Sequence, residues 1–312
     1  MRLLVTGAAG FIGSNYALRA LRDGHDVVAI DALVAGSDAA NVKELEEHPR
    51  FRFVRGDVAD ATAVRPVVER TDAIVHFAAL SHVDQSIEDA GAFVRSNVVG
   101  TQVLLEAVRR ADPDIRFLLV STDEVYGEVV EGRAFTEDAP VRPRNPYSAT
   151  KAGAEHLAFA YEQTHGLDIV VTRCSNNYGP RQDASKLVPK VIGCLTRGEA
   201  VPLYGDGRQK RDWLHVDDHN EAIDLVLASG RGGVWNIGTG RTTENLEMVR
   251  LIAEALGVPP RVEHVADRPG HDREYRIDAS KLEGELGWRP RTSLGEGIRR
   301  TVEWFHASGR LG

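Results

Sequence analysis

Cysteine is nearly absent: the chain has two, Cys174 and Cys194, in 312 residues. One pair cannot build a disulfide framework, and neither residue has metal-ligand spacing around it. Both are expected to pack as small apolar side chains in a reducing compartment, and no metal is expected. No apolar run approaches the roughly 18 residues that would cross a membrane. The first residues open directly on an apolar strand rather than a signal-peptide layout, so a cytoplasmic location is expected. Basic charge is outweighed, with 38 Lys and Arg against 46 Asp and Glu and a net charge of -8. Such a surface repels phosphate backbones and anionic lipid, which excludes nucleic acid and membrane as general partners. Anion binding is left to local basic residues, and therefore to a small, discrete ligand. Low-complexity tracts, internal repeats and Pro- or Ser-rich linkers are also missing. What remains, 42% hydrophobic and 27% charged residues, is ordinary for a globular chain long enough to bury a large core.

Short apolar β-rich runs alternate with amphipathic helical stretches over the first half. Leu3–Val5, Val27–Ile30, Phe51–Val54, Ala73–Phe77, Phe117–Val120 and Ile169–Val171 read as strands. Phe11–Arg22, Ala61–Glu69, Ala92–Arg110 and Tyr147–Thr164 have helical spacing between them. Strands apolar on both faces and alternating with helices imply a parallel sheet covered on each side. The fold class is therefore α/β, a doubly wound (Rossmann) sheet. After about Gly179 the rhythm changes to helices near 187–196, 217–228 and 246–256 among Gly-, Pro- and Arg-rich loops. Trp213, Trp235, Trp288 and Trp304 all fall here, which suggests separate packing. The expectation is a dinucleotide-binding domain over 1–178. Residues 179–312 would mostly form a smaller C-terminal substrate lobe, with some segments returning to the sheet.

Gly7, Gly10 and Gly13 stand at three-residue spacing between the first strand and the first helix. Glycines there allow the tight turn, close approach of the backbone to a pyrophosphate, and packing of helix on strand. The helix N-terminus then offers free N–H groups and a positive dipole end to phosphate. Asp31 closes the second strand 18 residues beyond Gly13. A carboxylate there accepts from ribose hydroxyls and repels a 2′-phosphate, so NAD is favoured over NADP. Asp57 and Val58, at the end of the third strand, are expected to flank the adenine.

Tyr147 and Lys151 are four apart on a helix that starts after Pro146, which stacks them on one face. Free tyrosine titrates near 10, but an ammonium and the positive ring of NAD⁺ favour the phenolate. Such a pair can take a hydroxyl proton while hydride leaves the same carbon. Ser121 or Thr122, ending the fifth strand, can bond the same oxygen. Asp123 and Glu124 follow at the carboxyl end of the sheet, where doubly wound folds bind ligands. Adjacent carboxyl groups in a dry site repel each other and lose hydration, which raises at least one pKa and yields an acid beside a base.

Taken together, the glycine loop, Ser121-Thr122 and Tyr147-x-x-x-Lys151 resemble the extended short-chain dehydrogenase/reductases that act on nucleotide sugars. The run Ser121-Thr122-Asp123-Glu124-Val125-Tyr126-Gly127 narrows the likeness to the nucleoside-diphosphate-hexose 4,6-dehydratases, most like those acting on dTDP-glucose. Ser81-His82-Val83-Asp84, Asn176–Pro180, Gly205-Asp206-Gly207, Arg211-Asp212-Trp213 and Asp267–His271 carry it nearly end to end. The resemblance implies a retained NAD that is reduced and reoxidised within one turnover. Thr122, Asp123, Glu124, Tyr147 and Lys151 would be catalytic. Tyr147 would take the 4-hydroxyl proton, Glu124 the carbon-5 proton, and Asp123 would protonate the departing 6-hydroxyl. Phe11, Ile12, Ala32, Leu33, Val34, the segment Ala78-Ala79-Leu80-Ser81-His82, Ser96 and Asn177 would join the glycines, Asp31, Asp57 and Val58 around the cofactor. Ser81, Thr122, Asn176, Lys186, Leu187, Pro202, Leu203, Tyr204, Arg211, Asn236, Asp267, Arg268, Pro269, Gly270 and His271 would contact the nucleotide sugar. Arg211 and Arg268 suit a diphosphate because a guanidinium binds its oxygens bidentately, and Tyr204 could stack on the base or simply pack in the lobe. The resemblance further implies a homodimer in which Ala92–Arg110 and Tyr147–Thr164 pair into a four-helix bundle.

The chain departs from the family's usual pattern at 32–36, at Leu80 where an acidic residue is common, and at Asp183-Ala184-Ser185. None of these touches the expected catalytic groups. A UDP-sugar 4,6-dehydratase or a 4-epimerase on the same fold is the alternative enzyme. Asp123-Glu124 argues against the epimerase, which eliminates no water. A non-catalytic NAD or sugar-nucleotide sensor could have lost Tyr147, Lys151 or a carboxylate, and all are present. His25 and His76 flank or lie in strands and are read as structural. His82 and His271 could approach cofactor or nucleotide.

Overall fold

A computed structural model describes residues 1–129, 132–267 and 269–310. In chain order the elements are β1 (Arg2–Thr6), α1 (Phe11–Arg22), β2 (Asp26–Asp31), α2 (Ala39–Glu46), β3 (Phe51–Arg55), α3 (Ala61–Val68) and β4 (Ala73–His76). Then come α4 (Val83–Glu88), α5 (Ala90–Phe93), a π-helical segment (Val94–Val99), α6 (Gly100–Ala111) and β5 (Arg116–Thr122), which runs into a 3-10 turn (Asp123–Tyr126). Next are α7 (Pro146–His165), β6 (Ile169–Cys174), β7 (Asn176–Tyr178), α8 (Leu187–Thr196), β8 (Val201–Tyr204), β9 (Lys210–His215) and α9 (Val216–Ala228). The chain ends with β10 (Gly233–Ile237), β11 (Thr242–Glu244), α10 (Asn245–Leu256), β12 (Val262–Val265), α11 (Ser280–Leu286) and α12 (Leu294–Ser308).

Seven strands form one sheet in the order β10-β6-β5-β4-β1-β2-β3, and each pairing is parallel. The order reverses between β1 and β4, the switch point where such sheets open a crevice at their carboxyl edge. Alternation along the strands explains the two cores. On β1, Leu3 and Val5 pack with Tyr16, Ala17 and Leu21 of α1, while Leu4 faces the opposite layer. On β5, Leu118 and Val120 join the first layer, and Phe117 and Leu119 the second, with Leu104, Leu105 and Val108 of α6 and Ala154 and Ala158 of α7.

A smaller unit holds β7, β9 and β11, then β8 paired with β12. Its core brings together Val188, Val191 and Ile192 of α8, Met248 and Ile252 of α10, and Ile298 and Phe305 of α12. Two of the four tryptophans lie elsewhere than expected. Trp213 and Trp304 pack in this core, but Trp235 and Trp288 belong to the main-sheet core. The reason is topological: β10 returns to pair with β6, and it carries Trp235 under the central sheet. The helix read over Ala92–Arg110 is also not uniform, because Val94–Val99 widens to a π turn.

Candidate active site

The turn after β1 is closed by Gly10 N–H donating to Gly7 O at 3.1 Å, and α1 starts at Phe11 with no side-chain cap. A Cβ on Gly13 would stand 2.3 Å from Gly7 O, so only glycine lets the helix approach the turn this closely. The first N–H groups of α1 have no carbonyl one turn earlier to bond, which suits them to an anion. Asp31 ends β2, and its carboxylate accepts from Ala9 N (3.0 Å), Leu33 N (2.8 Å) and Ser37 Oγ (3.0 Å). Those donors fix it beside the glycine turn. Across the switch point, Asn97 in the π turn bonds both backbone groups of Leu80, at 2.8 and 3.0 Å, and donates to Thr150 of α7 at 3.0 Å. Widening the helix by a π turn thus aims one side chain at the 78–82 segment.

The helix carrying Tyr147 and Lys151 is well started. Asn145 is the N-cap, its Oδ1 accepting from Ser148 N at 2.8 Å, and Pro146 supplies the fixed φ of a first helical residue. Tyr147 N–H donates to Ser86 Oγ at 3.2 Å and Lys151 Nζ donates to Val120 O at 2.7 Å, which docks α7 on α4 and β5. β5 breaks into the 3-10 turn at Thr122, whose hydroxyl accepts from Glu124 N (3.3 Å) and donates to Asp123 Oδ1 (3.2 Å). Gly127, with φ +83°, then turns the chain back where any Cβ would lie 2.5 Å from Arg142 O.

These pieces close on one cavity of about 520 Å³. Its wall contains Thr122, Asp123, Glu124, Tyr147 and Lys151. It also contains Gly7, Gly10, Phe11, Ile12, Gly13, Asp31, Ala32, Val34, Asp57, Val58, Ala78, Ala79, Leu80, Ser81, His82, Ser96 and Asn177. Of the residues expected at the cofactor, Leu33 alone is missing, and its N–H serves Asp31 instead. Ser121 Oγ, Asp123 Oδ2, Ser175 Oγ and Asn177 Oδ1 are buried in this wall with no hydrogen-bond partner among the described residues. Buried polar atoms need partners, so the wall is built for a polar ligand. The glycine turn, the Asp31 carboxylate in the wall beside it and the unpaired polar atoms together fit a dinucleotide such as NAD.

Electrostatics in the cavity follow from burial. Asp123 is pushed well above the ordinary carboxyl range, first by burial, then by the charges of Glu124 and Asp212, with Arg211 opposing. Burial raises Asp212 to about 6 even though Thr239 and Gly240 donate to it. Tyr147 is raised well above a free phenol, first by burial and next by Glu124. Lys151 is lowered to about 8 by burial, with Glu155 opposing. A carboxyl group whose protonated form is favoured therefore stands beside a second carboxyl group.

Among the expected substrate contacts, Ser81, Thr122, Asn176, Lys186 and Leu187 line the cavity. Pro202, Leu203, Tyr204, Arg211, Asp267, Pro269, Gly270 and His271 do not. They belong to the lobe, where the Tyr204 hydroxyl reaches across to Asp84 at 3.1 Å and His271 pairs with Asp267 at 2.6 Å. Arg211 lies over the Tyr275 ring at 4.3 Å and donates to Lys210 O and Asp272 O. Arg268 lies outside the described residues. Asn236 also lies outside the cavity wall: it is fully buried, donates to Phe135 O and Asp278 O, and accepts from the Tyr126 hydroxyl at 2.8 Å. It ties three segments together on β10, the edge strand of the sheet.

Sequence reading passed over several wall residues, including Ser37, Arg95, Cys174, Ser175, Gln182 and Trp213. Ser175 was findable, since it adjoins Asn176 and Asn177 at the sheet's carboxyl edge. Arg95 pairs with Asp57 at 2.8 Å, a contact between β3's end and the π turn that no local pattern announces.

A doubly wound sheet with this glycine turn and this Tyr–Lys pair is an extended short-chain dehydrogenase/reductase. The chain belongs to the GDP-mannose 4,6 dehydratase family, whose model matches residues 4–301. It is 49% identical to a dTDP-glucose 4,6-dehydratase of an Actinoplanes species, over 99% of this chain and 98% of that one. It is 52% identical to a dTDP-glucose 4,6-dehydratase of Streptomyces griseus, over 97% and 94%. Among solved structures it resembles DesIV, the dTDP-glucose 4,6-dehydratase of Streptomyces venezuelae crystallised with NAD and TYD bound. That match has a TM-score of 0.94 at 46% identity, covering 98% of this chain and 97% of the other.

Proposed function

We propose that the chain is an NAD-dependent hydro-lyase that converts dTDP-glucose to dTDP-4-keto-6-deoxyglucose. The carrying observation is that Asp123 and Glu124 share one cavity with Tyr147 and Lys151. A dehydrogenase or 4-epimerase needs the second pair only; loss of water needs both.

The glycine turn, Asp31 and the 78–82 segment would hold the dinucleotide. NAD, when bound, supplies the hydride acceptor for oxidation at carbon 4 and the hydride donor at carbon 6, so it ends each turnover as it began. Tyr147 takes the proton of the 4-hydroxyl, with Lys151 countering the phenolate charge and Thr122 holding the oxygen. The resulting ketone acidifies the carbon-5 proton, which Glu124 removes. Asp123 protonates the 6-hydroxyl, which leaves as water, and the upward shift that burial gives its carboxyl group favours the protonated form this step needs. Carbon 5 regains a proton from Glu124 as carbon 6 is reduced. Lys186, Leu187, Arg211 and the Tyr204–Asp267–His271 cluster would receive the nucleoside diphosphate.

The product is a precursor of deoxysugars, and both cysteines are free and buried, in keeping with a cytoplasmic enzyme. Among the described residues no helix is long and apolar enough to cross a membrane. We read the assembly as a homodimer through the 90–111 and 146–165 helices.

The test is incubation with dTDP-glucose without added NAD, reading the alkali-induced absorbance of a 4-keto-6-deoxy sugar. Silence with NAD loaded and with UDP-glucose also tried would sink the proposal. In the same assay Asp123→Asn with Glu124→Gln should oxidise carbon 4, seen as bound NADH, yet release no product. Full turnover by that variant would overturn the carboxylate roles.

A further inference from the structure

Asn145 does two jobs at once. Its Oδ1 caps α7 through Ser148 N at 2.8 Å, and its Nδ2 donates to Glu124 Oε2 at 3.1 Å. The amide orientation follows from chemistry. Ser148 N–H can only donate, so Oδ1 must face it, and the NH₂ group is left pointing at the carboxylate. Asn145 is itself buried and locked by a reciprocal capping box with Ser148. Glu124, by contrast, is only half-buried at the cavity wall. A free glutamate side chain would sample several rotamers there. Holding Oε2 leaves Oε1 for the substrate.

We propose that Asn145 is a positioning residue that sets Glu124 in register with Tyr147. It starts the helix on which Tyr147 stands two residues later, and it grips the carboxylate that must act on the adjacent carbon. One planar carboxamide thus links the oxidation machinery to the elimination machinery. Serine would cap equally well but carries no second donor long enough to reach Glu124. Aspartate would cap equally well but would present a carboxylate to a carboxylate. This inference rests on the dehydratase reading above.

The test uses purified holoenzyme of the wild type, Asn145→Ser and Asn145→Asp in single turnovers with dTDP-glucose. Formation and decay of bound NADH are followed by its near-ultraviolet absorbance, and thermal melting is recorded alongside. Both variants keep the cap, so melting and the rate of NADH formation should match the wild type. Decay, which requires loss of water first, should slow on the order of 10- to 100-fold, as expected when a catalytic group is misplaced, and kcat should fall with it. Unchanged decay in both variants overturns the inference. So does a slowed formation phase, which would mean that Asn145 merely places Tyr147. A wild type that turns over neither dTDP-glucose nor UDP-glucose removes the dehydratase reading and this inference with it.

Discussion

Lys151 shows how burial can set a working pH. Its ammonium is enclosed, donates to Val120 O, and is pushed from its ordinary 10.5 down to about 8, with Glu155's charge one turn along resisting the shift. A depressed value means that the charge is lost as pH rises through about 8. In the proposed mechanism Tyr147 then loses the cation assigned to its phenolate. Asp123, whose raised value makes it an acid, also gives up its proton as pH rises. These two effects lower kcat/KM on the alkaline side from about pH 8, and they are opposed by Tyr147, whose raised value makes its base form grow as pH rises. For stability the sign differs: a lysine with a lowered folded value contributes fully only above its ordinary 10.5. That contribution is lost as pH falls through about 8. Lys151→Arg separates the two alkaline terms, because a guanidinium keeps its proton. In that variant the part of the alkaline limb that Lys151 sets should disappear, measured as kcat/KM against pH. An unmoved limb would assign the fall to another group. Tyr147 and Lys151 were legible because four-residue spacing on a helix is a geometric statement. Asn145 was not, because an asparagine before a proline reads simply as a helix start, and its second bond reaches 21 residues back to a turn.

At the scale of elements, the catalytic turn rests on a buried ion pair. Arg173 of β6 meets Glu155 of α7 at 2.6 Å with both side chains almost wholly enclosed, and its guanidinium lies 4.6 Å over the Tyr126 ring. Phe135 stacks on that ring with centroids 5.1 Å apart, and the Tyr126 hydroxyl reaches Asn236. Strand, helix and the Asp123–Tyr126 turn are thereby fixed to one another. Removing one charge strands the other in a dry site, which costs about 3–5 kcal/mol. Glu155→Gln should therefore lower the denaturant midpoint with an unchanged slope. Glu155→Leu with Arg173→Met should recover most of the loss, since apolar groups of similar volume need no partner. If the single variant is as stable as the wild type, the pair does not brace the turn. None of this was readable in advance. Glu155 looks like the solvated face of a helix, and Arg173 lies beyond the apolar run Ile169–Val171 that marked its strand. Asn236 was expected at the substrate from the family resemblance alone, and its bonds to Phe135, Asp278 and Tyr126 lie too far along the chain for local pattern to show. Periodicity reports which face is apolar but not which polar residues are paired beneath it.

At the scale of the whole molecule, the parallel sheet and its two helical layers follow from alternation in the strands, whereas assembly must be argued from the outer surface. Ile87, Val94 and Val99 are exposed apolar residues on the run from α4 to the start of α6. Val99, Val103 and Ala107 then recur at four-residue spacing, as do Gly153, Leu157 and Tyr161 on the neighbouring α7; each of these is half-buried or more exposed. Gln102 Nε2 meets the Tyr161 hydroxyl at 3.4 Å, so the two stripes lie side by side. Ridges spaced by four residues fit the grooves of a matching helix pair, and a two-fold axis would set this pair on its own copy. The protein should sediment as a dimer. Val99→Glu with Val103→Glu should shift it towards monomer, because in a two-fold interface each new carboxylate faces its own copy or its neighbour. Val103 also packs partly against the main-sheet core, so the melting control is Val99→Glu alone, which should melt near the parent measured at the same low concentration. A variant that still sediments as a dimer would place the interface on another face of the molecule.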